Sequence, residues 1–225
     1  MDTPLVSICS ITYNHAPYIR QCLDGFLMQK TKFRYEIIIH DDASTDGTTE
    51  IIKEYAEKHP DLITPIFQKE NQYSKGIRGM FPRFCFPHAK GKYIALCEGD
   101  DYWTDPLKLQ KQVDFLESHP DYVMCSSKYQ ILEENIAKIT SSWYDEKCQD
   151  VAYSLDTLIH GGWYFHPLTV VFRSSELNLQ EYIRYPYGMV AVMFFHILKK
   201  GNGMMLPEEM AVYRIHEGGV WSGIN

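Results

Sequence analysis

The sequence lacks a basic excess, a paired cysteine motif, a long apolar run and both of the common glycine-rich phosphate loops. Its 22 lysines and arginines stand against 29 aspartates and glutamates, a formal charge of -7. Without a basic face to displace counterions, nucleic acid is not an expected partner. The six cysteines, at 9, 22, 85, 97, 125 and 148, form no CxxC pair and no Cys/His spacing of the structural zinc type. Most lie in apolar runs, where a reduced thiol acts as a small buried hydrophobe, and this points to a reducing, cytoplasmic compartment. No stretch approaches the ~18 apolar residues of a membrane span, and no secretion signal opens the chain. Any membrane association is therefore expected to be peripheral, at the inner face. No GxGxxG follows the first apolar run, and no GxxxxGK[ST] occurs. The dinucleotide fingerprint and the P-loop are thus excluded as ways of holding phosphate.

What is present is an alternation of buried strands and amphipathic helices in a chain of 225 residues, long enough for one sizeable core. Leu5 to Ile11 is a continuous apolar, β-branched run, as a strand covered on both faces requires. Ile19, Cys22, Leu23, Phe26 and Leu27 then recur at helical spacing within about Pro17 to Lys30. Tyr35 to His40 reads as a second strand, Thr49 to His59 as a helix stopped by Pro60, and Ile63 to Phe67 as a third strand. Residues 69 to 91 predict an irregular connection and a short helix with Gly91 as its C-cap. Tyr93 to Cys97 is a fourth strand, and Asp105-Pro106 opens a helix with Asp as N-cap. The pattern weakens from 133 to about 165. It returns as a strand near Thr169 to Phe172, a helix near Ala191 to Lys200 and an apolar stretch ending at Tyr213-Arg214.

This order predicts an α/β fold with a mostly parallel, Rossmann-like sheet flanked by helices. With no repeat or linker, residues 1–225 read as one domain with halves at 1–130 and 131–225. Ligands of such sheets lie beyond the carboxyl ends of the strands, and polar residues gather there. Thr12, Tyr13, Asn14 and His15 follow the first strand, Asp41 and Asp42 the second, and Glu98, Asp100 and Asp101 the fourth.

Three carboxylates within four residues repel one another unless a cation or protons offset them. Hard oxygen ligands at a strand end suit Mg²⁺ or Mn²⁺, with a substrate diphosphate completing the shell. The plainer alternative is a solvated acidic turn. Asp41-Asp42 either caps the next helix or, since a cap needs one carboxylate, leaves the second for the base or ribose of a nucleotide.

The segments SITYNHAPYI, HDDASTDGT and AKGKYIALCEGDDYWTDP, in that order and each at a strand end, resemble the inverting family 2 glycosyltransferases of the GT-A fold. The closing AVYRIHEGGVWS is similar to that of many bacterial members. The resemblance covers most of the chain. It implies that Tyr13 stacks near the nucleotide base, that Asp42 or Asp41 hydrogen-bonds it, and that Asp100 and Asp101 hold a metal on the diphosphate of a UDP-sugar. Thr12 and Asn14 would belong to the same nucleotide site. The DxD-like motif reads Glu98-Gly99-Asp100, with Glu in place of the usual first Asp. His216 matches a position from which a histidine approaches the metal or diphosphate, with Arg214 as an anion partner; a surface histidine is the alternative. Trp103 either faces the sugar or acceptor or belongs to the core, and Trp221 falls on the acceptor side. The acceptor implied is a saccharide or lipid-linked saccharide, as in cell-surface polysaccharide synthesis.

One element of that pattern is missing. Inverting transfer needs a base for the acceptor hydroxyl, and the family carries an Asp or Glu just before the late helix. Here residues 185 to 193 contain no carboxylate, and Val190 occupies the expected position. Either the register differs and Glu208 or Glu209 serves, or the chain binds a nucleotide-sugar with transfer impaired or absent.

Overall fold

The continuous apolar runs form the strands at the centre of one twisted sheet. A computed structural model describes residues 3–142, 151–161, 165–177, 179–182 and 190–219. The strands are β1 (Val6–Thr12), β2 (Tyr35–Asp41), β3 (Ile63–Phe67), β4 (Tyr93–Glu98), β5 (Tyr102–Trp103), β6 (Tyr122–Glu133), β7 (Lys138–Ser141), β8 (Val151–Tyr153), β9 (Val171–Arg173) and β10 (Asn202–Ile215). The helices are α1 (Ile19–Leu27), α2 (Thr48–Lys58), α3 (Lys108–Ser118), α4 (Leu155–Gly161), α5 (Leu179–Tyr182) and α6 (Val190–Leu198). Their order in the sheet is β3-β2-β1-β4-β9-β6-β10-β5, with β7 on β6 and β8 on β10. The run β3 to β4 is parallel, as is β6 with β10, while β9 joins the two parallel blocks antiparallel to both. The fold class is the expected one, α/β with a mostly parallel sheet flanked by helices.

Alternate side chains of the central strands enter different cores, as the period of two requires. Val6, Ile8, Ile37, Ile39 and Cys97 pack against Leu23 and Phe26 of α1, Ile52 of α2 and Val113 of α3. Cys9, Ile38, Ile94 and Leu96 face the other way, toward Leu158 of α4 and Phe194 and Ile197 of α6. Both faces are buried, so the strands read as unbroken apolar runs.

Several boundaries differ from expectation for local reasons. Residues 81–88 form a π-helical turn (Phe81–Cys85) and a 3₁₀ turn (Phe86–His88) instead of a helix reaching Lys90. Gly91 does not cap them. It packs against β1, where an added Cβ would stand 2.5 Å from the Ser7 nitrogen. The Asp105 carboxylate accepts the Leu107 amide at 2.7 Å, so it closes a turn and the helix proper starts at Lys108. The long β6 ends where the patterning weakens and turns back into β7, and among the described residues the stretch from 133 to 165 carries β7, β8 and α4.

Candidate active site

The carboxyl ends of β1, β2 and β4 lie side by side, with Thr12 opposite Asp41 and Ile11 opposite Glu98. The loop after β1 is tied to the loop after β2 by four bonds. Asn14, at φ 55°, donates its amide to Ser44 Oγ at 2.8 Å and accepts the Thr45 amide at 2.8 Å. The amides of His15 and Ala16 reach Thr48 Oγ1 and Asp46 Oδ2 at 2.8 and 2.9 Å. Asn14 is therefore a stitch between loops. Tyr13 is 44% exposed.

Asp41 and Asp42 are both buried and both engaged. Asp41 accepts the Ser44 amide and hydroxyl at 3.1 and 2.5 Å and also the Thr49 hydroxyl, so it organises the turn into α2. Asp42 accepts the backbone amides of Gln72 at 2.8 Å and Tyr73 at 3.0 Å, fixing a loop thirty residues away in sequence. That loop carries Tyr73, 42% exposed, with the Arg78 guanidinium 4.0 Å from its ring centre.

The acidic turn after β4 lies flat on the end of β1, because a Cβ at Gly99 would come within 2.6 Å of Thr12 Oγ1. Its three carboxylates have separate environments. Asp101 is buried and accepts the Arg214 amide at 2.9 Å; burial first, then the charges of Asp100 and Glu98, push its pKa well up. Glu98 is half-buried, and desolvation with the nearby Asp100 raises its pKa to about 8. For Asp100, burial opposes ionisation, but the hydrogen bond from His216 and the field of His15 outweigh it and hold the pKa below the usual carboxylate value. One carboxylate of the three is thus held as the anion.

Asp100 sits between two imidazoles. His216 Nε2 is 3.2 Å and His15 Nε2 3.7 Å from Asp100 Oδ2, and donor atoms of the three residues all lie within 4.8 Å of one another. The Tyr18 ring packs on His216 at 4.5 Å between centres. Burial lowers the pKa of His15 against the opposing pull of Asp100. Asp100 Oδ1 and His15 Nδ1 are buried without a hydrogen-bond partner. Two imidazole nitrogens and a carboxylate oxygen gathered this closely make a ligand set that a divalent cation can bind, so these residues fit the metal that the motif implies.

Arg214 builds the wall behind this cluster. Its Nε donates to the Asp100 carbonyl at 2.8 Å and Nη2 to Gln21 at 2.7 Å, Nη1 pairs with Glu134, and the guanidinium lies over the rings of Tyr18 and Tyr102. Each of its nitrogens is occupied by protein, so in this arrangement it positions the acidic turn and does not present itself to an external anion.

The other expected site residues lie elsewhere. Trp103, 2% exposed, belongs to the core, packed on Phe26 with its indole N–H donating to the Leu168 carbonyl at 2.8 Å. Glu208 pairs with Lys111 at 3.2 Å, and Glu209 accepts from Gln130 at 2.7 Å, both where β10 shifts register against β6. Val190 is the first residue of α6 and packs partly into the second core. Trp221 and residues 183–189 lie outside the described residues. His15 carried no assigned role in the sequence, because its partners are 85 and 201 positions away; its place directly after a strand end was the available signal.

Residues 7–201 match the model of Glycosyl transferase family 2. An uncharacterized protein of Mycobacterium tuberculosis strain H37Rv is 40% identical over 223 residues, covering 96% of this chain and 60% of that protein. The chain therefore spans well under two thirds of the length of these relatives. Staphylococcus aureus TarS in complex with UDP-GlcNAc superposes with a TM-score of 0.73 at 20% identity, over 98% of this chain and 61% of that one. The mannosyltransferase PcManGT from Pyrobaculum calidifontis, in complex with GDP-Man and Mn²⁺, gives 0.67 at 19% identity over 97% and 59%. At such identities what is shared is the fold, GT-A. The family match runs from β1 to the residue before β10 and takes in all three motif-bearing strand ends as well as the late helix, and the chain belongs to glycosyl transferase family 2.

Proposed function

We propose that this chain transfers a sugar, with inversion, from a UDP-sugar to a hydroxyl of a saccharide or lipid-linked saccharide. The observation that carries the reading is the Asp100 carboxylate held between His15 and His216 at the joint end of β1, β2 and β4 in a family 2 chain. Residues 1–130 form the donor half and 131–225 the acceptor side. Mn²⁺ or Mg²⁺ bound there would neutralise the diphosphate as it leaves. Asp100 and His216 would hold that cation, and Glu98, whose pKa burial and the neighbouring Asp100 keep raised, would lose its proton beside it once the cation is bound. Tyr13 and Tyr73, both partly exposed, offer aromatic rings for the base, and Asp42 holds the Tyr73 loop beside the end of β2. The setting is cytoplasmic, peripheral to the inner membrane face if the acceptor is lipid-linked, and the use is cell-surface polysaccharide assembly, supported by the bacterial character of the closing segment.

Donor binding without transfer is the second reading, and Val190 at the start of α6 is the single observation favouring it. Calorimetric titration with UDP, in Mn²⁺ and then in EDTA, followed by a donor-hydrolysis assay tests the proposal. Metal-dependent UDP binding with turnover is expected; UDP binding unaffected by EDTA would overturn the metal role, and binding without turnover would favour the second reading.

A further inference from the structure

We propose that His15 is a metal ligand, and that His15, Asp100 and His216 together make a three-ligand site that prefers a borderline cation such as Co²⁺ or Mn²⁺ over Mg²⁺. The inference concerns the site of the proposed donor reaction, but it is decided by the metal alone.

The imidazole of His15 is delivered to Asp100 by a rigid loop. Its amide donates to Thr48 Oγ1 at 2.8 Å, and its carbonyl accepts the amides of Tyr18 at 2.9 Å and Ile19 at 2.8 Å. The preceding Asn14 is fixed in the left-handed region by its bonds to Ser44 and Thr45. A histidine held this firmly normally satisfies its ring nitrogens. Here Nδ1 is buried with no partner, and Nε2 faces Asp100 Oδ2 at 3.7 Å, beyond hydrogen-bond length. The ring stands edge-on to that of His216, centres 6.0 Å apart and planes at 88°.

The spacing suits a shared cation better than a shared proton. Ligand atoms bonded at about 2.1 Å and at right angles to one another lie about 3 Å apart. The separations of 3.2 and 3.7 Å need only small movements to reach that arrangement. The second oxygen of the carboxylate, Asp100 Oδ1, is buried with no hydrogen-bond partner.

The ligand chemistry then sets the choice of metal. Mg²⁺ takes oxygen ligands and keeps its waters, typically with one or two protein carboxylates. Two imidazoles raise affinity along the order Mn²⁺, Fe²⁺, Co²⁺. With three protein ligands the cation is also held without the nucleotide, unlike a site that relies on phosphate oxygens to complete it.

The test is titration of the full chain with Co²⁺, Mn²⁺ and Mg²⁺ salts, no nucleotide present, by calorimetry. The parent is expected to bind Co²⁺ more tightly than Mg²⁺. His15→Ala, checked for an unchanged melting curve, should weaken Co²⁺ binding at least by the ten- to hundredfold that loss of even an outer-shell partner costs, with little change for Mg²⁺. A second measurement needs no variant: Co²⁺ should shift the ring resonances of both His15 and His216 in the parent. Absence of Co²⁺ binding, a parent that prefers Mg²⁺, Co²⁺ affinity retained in His15→Ala, or a shift confined to His216 would each overturn the assignment. UDP titrations run in parallel report on the donor reading separately, since its failure leaves the cation measurements intact.

Discussion

The backbone amide of Arg214 donates to the buried Oδ1 of Asp101 at 2.9 Å, so the acidic turn after β4 and the end of β10 move as one piece. Asp101 is spent on this bond, whereas Asp100 faces His15 and His216. The two neighbours should therefore separate on mutation. Asp100→Asn is expected to abolish Mn²⁺ binding with little loss of stability. Asp101→Asn keeps an acceptor for Arg214 and should retain metal, while Asp101→Ala should cost about 1–3 kcal/mol by leaving a buried amide unpaired. Manganese titration beside urea denaturation of the three variants checks this, and equal loss of metal in Asp100→Asn and Asp101→Asn would return Asp101 to the ligand set.

Asp42 anchors Gln72 and Tyr73 through both carboxylate oxygens. Replacement by alanine should destabilise the chain by about 2 kcal/mol, below the roughly 3–6 kcal/mol of two fully buried charge-assisted bonds, since amides of a surface loop can turn to water. Hydrogen exchange at residues 71–76 should quicken. If the Tyr73 loop forms one side of the base site, UDP should lose about 1 to 3 kcal/mol of its preference over ADP in the same variant. Competition titrations of UDP and ADP decide it, and a preference that survives while the loop exchanges freely would exclude the loop from base recognition.

The sheet was legible because strands covered on both faces must be largely apolar, which is how Leu5 to Ile11, Tyr35 to His40 and Tyr93 to Cys97 read; the observed strands each run one residue further, onto Thr12, Asp41 and Glu98. The same burial put the polar residues at strand ends in plain view. What the sequence could not reveal depended on partners distant along the chain. Gly91 looks like a helix C-cap until β1 is seen lying against it. Asp42 looks like a ligand for a base, yet its partners are amides thirty residues on. Arg214 looks like an anion receptor, but Gln21, Glu134 and the Asp100 carbonyl occupy it. Trp103 follows an acidic turn, and the antiparallel pairing of β5 with β10 turns it into the core.

Lys108 gives a pH signature away from the metal site. It is fully buried on α3, with its Nζ donating to Gln112 Oε1 at 2.7 Å and lying 4.2 Å from the Trp103 ring centre. Desolvation brings its pKa down to about 7 from an unfolded value of 10.5. Between those two values the unfolded chain carries a proton that the folded chain has released, so this group makes stability rise with pH across that window and adds no slope below it. In Lys108→Met the contribution should vanish. Urea midpoints from pH 6 to 10 for both proteins isolate it; parallel curves would show that Lys108 stays charged when folded.

Val190 opens α6 with no acidic residue in the first turn, at the position where a family base is expected. If a carboxylate belongs there, the chain should bind UDP-sugar and metal normally and transfer slowly, since loss of general-base assistance costs roughly 10² to 10⁴-fold in rate. Val190→Asp should then raise single-turnover transfer and leave donor affinity nearly unchanged, because the base acts on the acceptor in the transition state and not on the bound donor. The stability change should be small. Val190 is only partly buried against the second core, so about 1 kcal/mol of lost burial is largely offset by the roughly 0.3–1 kcal/mol that an anion gains at a helix N-terminus. A parent already fully active, with no gain in Val190→Asp, would place the base elsewhere. Glu209 would then be the residue to replace first, since its Oε1 is buried without a partner while Glu208 is exposed and paired with Lys111.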